Sequence, residues 1–357
     1  MWIKSLRLRN FRNYLYQDIE FNDNINIFLG DNAQGKTNLL ESIYYLANAK
    51  SFKKTRDKDL IMFSEKKMSL NGLIRKKNSF KKVEIDASKD KKEIHVNDIR
   101  YDTSKDLRAL FKLVLFTPED LTIIKDGPNF RRKLIDDIIT SVDYSYKGLK
   151  RDFDKILTNR NKLLKNQNSK YFKAQLEAFD KQIIKINYKI YRLRDKYIGL
   201  IDTYARKNHK NLSQNKEKLE ISYNPNIKAQ SLEEYGEIFK SRLKDDLKFY
   251  RTSSGIQRDE IDIFINGKDT KKFGSQGQQR SAILNIKLAN VNLIENTSQD
   301  KAIILFDDVF SELDEKRSNF LLENLGSFQT IITATNTKSL DKVSRKNIRK
   351  IKNGFIS

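Results

Sequence analysis

Residues 30–37 read Gly30-Asp31-Asn32-Ala33-Gln34-Gly35-Lys36-Thr37, a complete G-x-x-x-x-G-K-[ST] phosphate-binding loop. The glycines let backbone N–H groups close on phosphate oxygens, and a following helix would aim its positive end at them. Lys36 has the reach for the β- and γ-phosphates, and the Thr37 hydroxyl suits Mg²⁺. An ordinary strand–turn–helix corner would not account for Lys36 and Thr37 directly after the second glycine. A second cluster, Ala302-Ile303-Ile304-Leu305-Phe306-Asp307-Asp308, is an apolar run ending in two carboxylates. That is the form of a buried parallel strand delivering acids to its C-terminal end, the Walker B pattern. Asp307 is the candidate metal ligand, directly or through water, and Asp308 is placed to polarise an attacking water. A third cluster, Phe273-Gly274-Ser275-Gln276-Gly277-Gln278-Gln279-Arg280, opens a helix over Ser281–Ala289. The Ser275 hydroxyl, the Gly277 amide and Gln278 at a helix N-terminus form a second anion site.

The flanking segments can position these groups. Ile25–Leu29 alternates like a strand, and Asn38–Leu46 carries apolar residues at helical spacing. Lys82–Asp86 and Glu93–Val96 read as a hairpin, Leu113–Phe116 as a strand stopped by Pro118, and Gln329–Asn336 as a strand with its switch end. Residues 147–205 hold no proline. Phe172, Leu176, Phe179, Ile183, Ile186, Ile190, Leu193, Tyr197, Leu200 and Tyr204 repeat every three or four residues, an unbroken a/d seam on a helix about 50 Å long. An earlier helix carries Leu149, Phe153, Ile156, Leu157, Leu163 and Leu164, and Asn166–Ser169 is a turn between the two. The expectation is an antiparallel helical hairpin projecting from the globular part. Three domains follow: 1–118 with the phosphate loop, 119–235 with the hairpin, and 236–357 with the last two clusters.

The chain has 357 residues, no cysteine and a net charge of +23. Disulfides and cysteine-held metals are excluded, and a polyanion partner, nucleic acid first, is the natural reading. Between 147 and 196 stand fifteen basic and five acidic residues, so the hairpin carries much of the excess. Lys181, Lys185 and Lys189 are its candidate DNA contacts; the competing reading is an arm that docks a protein. The start lacks the apolar core of a signal peptide, and no apolar run approaches the ~20 residues of a membrane span. A cytoplasmic protein without a membrane partner is expected. The two histidines, His95 on the hairpin and His209 in a charged stretch, are read as having no part in the chemistry.

The order of the clusters resembles the ABC-type ATPases, with Ser275, Gly277 and Gln278 matching the signature motif and Ser311-Glu312-Leu313-Asp314 the D-loop. The long separation of Thr37 from Asp307 and the basic hairpin between them resemble the SMC-like branch, not a transporter subunit. Within that branch the chain resembles the bacterial RecF family. The residues that carry this are Leu8-Arg9-Asn10-Phe11-Arg12-Asn13-Tyr14, Gly30–Asn38, Phe116-Thr117-Pro118-Glu119-Asp120-Leu121, Lys125–Arg132, Phe273–Arg280 and Leu305–Asp314. The resemblance implies an α/β fold: an ABC-type ATPase head, a mixed β lobe plus a parallel-sheet P-loop core, with an inserted α-helical hairpin arm. It implies ATP and Mg²⁺ as cofactors, with Gly30, Asp31, Asn32, Ala33, Gln34, Gly35, Lys36, Thr37 and Asn38 at the nucleotide. Arg12, with Arg9 and Asn10, resembles the family's nucleotide-contacting turn. It implies an ATP-dependent homodimer in which Ser275 completes the other subunit's site, and weak DNA-stimulated ATPase activity used as a switch. It implies DNA as a largely sequence-independent partner, RecO- and RecR-like proteins, help in loading RecA at gaps, replication restart and the SOS response. The alternative is another SMC-like ATPase acting as a DNA-processing enzyme or a structural clamp. Two departures stand out. Gly255-Ile256-Gln257-Arg258-Asp259-Glu260 replaces the family's G-P-H-R-D-D, and no switch histidine follows Thr335, which points to slow hydrolysis.

Overall fold

The computed structural model describes residues 1–76, 79–101, 107, 110–298, 300–336 and 346–357. Up to residue 121 the elements are β1 (Trp2–Phe11), β2 (Tyr14–Glu20), β3 (Ile25–Leu29), α1 (Lys36–Asn48), β4 (Lys67–Lys76), β5 (Ser79–Ser88), β6 (Lys92–Val96), β7 (Ile99–Arg100) and β8 (Leu113–Phe116). There follow α2 (Pro128–Val142), α3 (Ser145–Leu164), α4 (Phe172–Leu212), β9 (Leu219–Asn224), α5 (Leu232–Ser241), α6 (Leu243–Phe249), β10 (Glu260–Ile265), β11 (Lys268–Asp269), α7 (Thr270–Phe273) and α8 (Gln276–Ser298). The chain ends with β12 (Ile303–Asp307), α9 (Glu315–Leu325), β13 (Thr330–Ala334), β14 (Lys346–Lys352) and β15 (Phe355–Ile356). Two compact units result, Met1–Leu121 with Ile294–Ser357, and Thr122–Leu293. No helix among the described residues is long and apolar enough to cross a membrane.

The first unit holds two six-stranded sheets. One has the order β2-β1-β4-β5-β6-β7, all antiparallel, and contains the expected hairpin with Glu84 opposite His95. The other has the order β15-β14-β3-β13-β12-β8, with all but β15 parallel. Its central strands β3, β13 and β12 are buried along most of their length, as parallel strands are. The apparent alternation of Ile25–Leu29 does not mark a wet face. Asn26 is buried because its amide closes on Asn22 and Asn24. Helix α1 packs Leu39, Leu40, Ile43 and Leu46 into the core shared with Ile3, Leu6 and Leu8 of β1 and Leu305 of β12.

The second unit contains the expected hairpin, α3 against α4. Leu176, Ile183, Ile190 and Tyr197 of the seam are buried, yet Leu200 is 36% exposed. A second face, Ile184, Asn187, Tyr191, Arg194, Ile198 and Ile201, is buried as well. The hairpin is therefore broader in its packing than a projecting two-helix arm: α5, β9 and α2 cover α4. The strand pairing across 235/236 is also informative. β10 pairs β9 in antiparallel register, Ile263 opposite Ile221, which binds 236–293 to the arm and not to the Walker B strand.

Two buried arginines fasten this unit, and both came from the stretch counted as surface charge. Arg160 donates to Asp180 at 2.7 Å, Asp246 at 2.7 Å and Thr252 at 2.7 Å. Arg194 donates to both oxygens of Asp136 at 3.0 Å, to Asp259 at 2.7 Å and to the Ile256 carbonyl at 2.7 Å. Burial pushes the Asp180 carboxyl up, and Arg160 opposes that push. Asp259 accepts also from Tyr223 and the Asn226 amide, so its place is structural, whereas Arg258 is exposed. Removing one partner of such a knot strands a buried charge. Arg194→Ala should therefore cost about 3–5 kcal/mol in urea unfolding. Lys185→Ala on the exposed face of the same helix should stay within about 0.5 kcal/mol. Equal losses in the two variants would contradict the knot.

Candidate nucleotide-binding site

The phosphate loop leaves β3 at its C-terminal end, and the Gly30 amide donates to the Ala334 carbonyl of neighbouring β13 at 3.2 Å. Gly35 sits at φ 115°, and a Cβ there would lie 2.7 Å from the Asn13 amide nitrogen. At Gly30 a Cβ would lie 2.5 Å from the Ile351 carbonyl. Only glycine fits both places. The loop is braced from outside. Asn13 donates to the Gln34 carbonyl at 3.2 Å, Tyr14 to the Gly35 carbonyl at 3.0 Å, and Gly354 to the Gln34 carbonyl at 3.0 Å. Helix α1 begins with no side-chain cap and no acid in its first turn, so its leading amides suit an anion. Lys36 is buried and donates to the Gly30 carbonyl at 2.6 Å.

The two acids stand where β12 ends. Thr37 donates its hydroxyl to Asp307 Oδ1 at 2.9 Å, and Thr333 of β13 donates to the same oxygen at 3.1 Å. Burial holds the Asp307 carboxyl above its usual range, against those two hydroxyls and the charge of Lys53. Asp308 has φ 52°, and its amide donates to the Thr333 carbonyl at 3.1 Å. Burial raises its carboxyl too, with Lys36 opposing and Glu312 assisting. Asp308 Oδ1 is buried without a hydrogen-bond partner among the described residues. A hydroxyl beside a carboxylate is a hard-oxygen donor set that fits Mg²⁺, with phosphate oxygens completing it. No group of three or more His, Cys, Asp or Glu side chains among the described residues could hold a metal unaided.

Several expected contacts have other partners. Asn38 donates to Asn13 at 2.9 Å. Arg12 lies at φ 55° and donates twice to Glu41 of α1, at 2.9 Å each, and to the Asp59 carbonyl at 2.9 Å. Glu41 is wholly buried and also accepts from Ser51, so Arg12 first serves to balance a buried charge. Asn10 donates to Glu65 and to the Lys67 carbonyl, while Arg9 is exposed. Beside Arg12 opens a depression of about 550 Å³ lined by Asn13, Asn38, Lys58, Asp59, Ile61 and Phe63. Phe63 is 97% exposed, which is unusual for that side chain. The sequence reading missed Asn13 and Tyr14 as braces, Thr333 as a partner of Asp307, and Phe63. Only Phe63 left a signal, a large apolar residue in a polar, turn-like stretch.

The signature turn belongs to the second unit. Ser275 is exposed and caps α8: its hydroxyl accepts from the Gln278 amide at 3.2 Å, and its own amide donates to Gln278 Oε1 at 2.9 Å. That is a reciprocal capping box. Gly277 lies in the first turn, its carbonyl accepting from Ser281 at 2.9 Å. In the D-loop, Asp314 caps α9 by accepting from the Arg317 amide at 2.9 Å. Lys181, Lys185 and Lys189 are all exposed on α4, with Lys181 pairing to Glu177 at 2.9 Å. His209 is wholly buried and hydrogen-bonded.

Residues 2–355 match the family model described as the RecF/RecN/SMC N terminal domain. A DNA replication and repair protein RecF from Clostridium acetobutylicum is 38% identical over 363 residues, covering 100% of this chain and 99% of its own length. Its namesake from Clostridium novyi is 37% identical, with 100% of both chains covered. Among solved structures, the recombination mediator protein RecF-ATPrS in the RecFOR pathway superposes with a TM-score of 0.91 at 33% identity, over 100% of this chain and 97% of that one. The Smc head domain from Pyrococcus furiosus shares the fold at a TM-score of 0.57 and 16% identity, over 100% of this chain and 95% of that one. An ABC-type ATPase head with an inserted helical arm is thus the fold, and the chain belongs to the RecF family of DNA replication and repair proteins.

Proposed function

We propose that each copy binds Mg-ATP at Gly30–Thr37 and Asp307, and that ATP joins two copies when Ser275 and Gly277 of one meet the nucleotide of the other. The joined pair holds DNA by its phosphates and acts in recombinational repair. The observation that carries this reading is the 2.9 Å hydrogen bond from Thr37 to Asp307, between the two motifs that would share a metal. The RecF relatives solved as "RecF-ATPrS" and "RecF-ATP" in the "RecFOR pathway" support the nucleotide and partners of the RecO and RecR kind. Family membership supports RecA loading at gaps and the damage response.

The side chains have definable parts in this scheme. Lys36 exchanges the carbonyls of Gly30 and Asp31 for phosphate oxygens. The depression beside Arg12 receives the base, with Ile61 and Phe63 as apolar surface and Lys58 and Asp59 as polar contacts. Thr37 and Asp307 would hold Mg²⁺, which when bound neutralises charge on the phosphates. Asp308, its free Oδ1 unpaired and its carboxyl raised by burial, is suited to accept a proton from water. Ser275 accepts from the Gln278 amide and keeps its own O–H to donate to a phosphate. With no switch histidine after Thr335, turnover is slow.

Three outcomes follow. The Asp307 carboxyl is raised in the folded chain, so its ionisation above the ordinary aspartate range opposes folding. Asp307→Asn should raise the melting temperature of the nucleotide-free protein at pH 7, with the gain vanishing below about pH 4. The same variant should lose the further rise that Mg-ATP gives wild type. A lower melting temperature at pH 7 would refute the electrostatic account. Sedimentation with Mg-ATP should show wild type as a dimer and Ser275→Arg as a monomer that still binds nucleotide; normal dimers of the variant would exclude the shared site. Finally, DNA affinity should fall steeply with salt, and neutralising Lys181, Lys185 and Lys189 together should flatten the log–log slope by about one unit for each phosphate no longer neutralised. An unchanged slope would favour the arm as a protein-docking element.

A further inference from the structure

Ser275 is held by more than its own helix. Gln278 closes the capping box through Oε1, and its Nε2 donates to Glu217 Oε1 at 2.8 Å. Glu217 Oε2 meets His209 Nε2 at 3.1 Å. His209 Nδ1 in turn meets Asn285 Nδ2 at 3.1 Å, and Asn285 lies two turns further along α8. One arrangement of protons satisfies every contact. His209 carries its proton on Nε2 and donates it to Glu217, leaving Nδ1 to accept from Asn285. The chain of bonds thus leaves α8 at Gln278, passes through the end of α4 and re-enters α8 at Asn285.

The elements on which these groups sit are themselves fixed. His209 is in the last turn of α4 and wholly buried. Between it and Glu217 the backbone turns through Gln214 and Asn215, both at positive φ. Ser213 ties that turn, accepting from the Glu217 amide at 3.3 Å. Directly after it, the Lys218 amide donates to Asn266 at 2.8 Å, and Leu219 begins the pairing of β9 with β10. Glu217 therefore stands on a rigid corner, while Ser275 and Gln278 stand at an exposed helix start.

We propose that Glu217 is a positioning residue: it ties the last turn of the arm helix to the turn that presents Ser275. The inference rests on the paired-site reading above and concerns what keeps one half of that site in shape. Without Glu217 the Gln278 amide keeps one of its two anchors, and the cap that orients the Ser275 hydroxyl loosens. A force on α4 then has a direct route to the signature turn through two hydrogen bonds.

The test uses full-length wild type, Glu217→Ala and Glu217→Gln. Hydrogen exchange of the nucleotide-free chains reads the turn itself. In Glu217→Ala, peptides covering 274–280 should exchange several-fold faster, with peptides of α3 unchanged. Glu217→Gln keeps an oxygen for Gln278 and so should restore protection at 274–280, although the His209 tautomer that its amide requires gives up the contact with Asn285. With Mg-ATP, Glu217→Ala should bind nucleotide like wild type as a monomer but dimerise about tenfold more weakly, and Glu217→Gln should recover. Unchanged exchange at 274–280 in Glu217→Ala would overturn the tie. Faster exchange with undiminished dimerisation would overturn its part in the paired site, and so would a Glu217→Gln variant no better than alanine. Should Glu217→Ala fail to fold, Gln278→Glu decides alone. It keeps the cap oxygen but sets two carboxylates face to face, so protection equal to wild type would overturn the proposal and faster exchange would sustain it. Wild type remaining monomeric with Mg-ATP would instead sink the paired-site reading, and the exchange measurement would still judge the tie.

Discussion

The Thr37 hydroxyl and the Asp307 carboxylate meet at 2.9 Å across 270 residues of sequence. The parallel sheet of the first unit arranges that meeting. Parallel pairing of β3, β13 and β12 brings three C-terminal strand ends side by side, with Ala334 opposite Leu29 and Thr333 opposite Asp307. One more residue in any of these strands would turn its last side chain to the other face. The long interruption is tolerable for two reasons. Closure entropy grows only slowly with loop length, and 122–293 folds as a compact unit with its own core instead of a loose loop.

The site draws on that rigidity to keep charges in places they would not choose. Asp307 is buried with hydroxyls as its nearest partners, not a guanidinium, and burial outweighs them. Glu41, buried still more completely, has Arg12 bound through two nitrogens. The contrast separates two uses of a buried carboxylate. Glu41 is neutralised in place and fixes the loop after α1 to the helix. Asp307 and Asp308 remain under-compensated, the condition in which a cation or a proton adds most. Arg160 and Arg194 repeat the first pattern in the second unit, each buried guanidinium being held between two carboxylates.

Local motifs were legible in the sequence because they depend on residue types at fixed spacing. The glycines, Lys36, Thr37 and the Asp307-Asp308 pair declare their chemistry without a fold. So do the hairpin helices, whose seam follows from a repeat of three and four. What could not be read depends on long-range pairing. Gly35 needs Asn13, and Asp307 needs Thr333, but no spacing rule connects them. The charge of the hairpin misled for the same reason: Arg160 and Arg194 look like surface charge until Asp246 and Asp259, far along the chain, are seen to bury them. The tie of 219–224 to 260–265 was not legible either, because β9 finds its partner strand 36 residues or more downstream of its own last residue, a pairing that composition does not reveal.

The two anion-directed helix starts differ in a way that orders their use. Helix α1 has no side-chain cap, so its leading amides gain most from a phosphate. Helix α8 is capped by Ser275, which has already met one of its amides and offers a ligand chiefly one hydroxyl proton. In the proposed scheme a phosphate therefore binds first and more tightly at α1, where Lys36 adds its charge. The signature turn, weak alone, gains strength only against an anion that another site already holds. An ATP held at Gly30–Thr37 would be such an anion, and on the proposed pairing the capped serine would sense bound nucleotide instead of offering a second place to bind it.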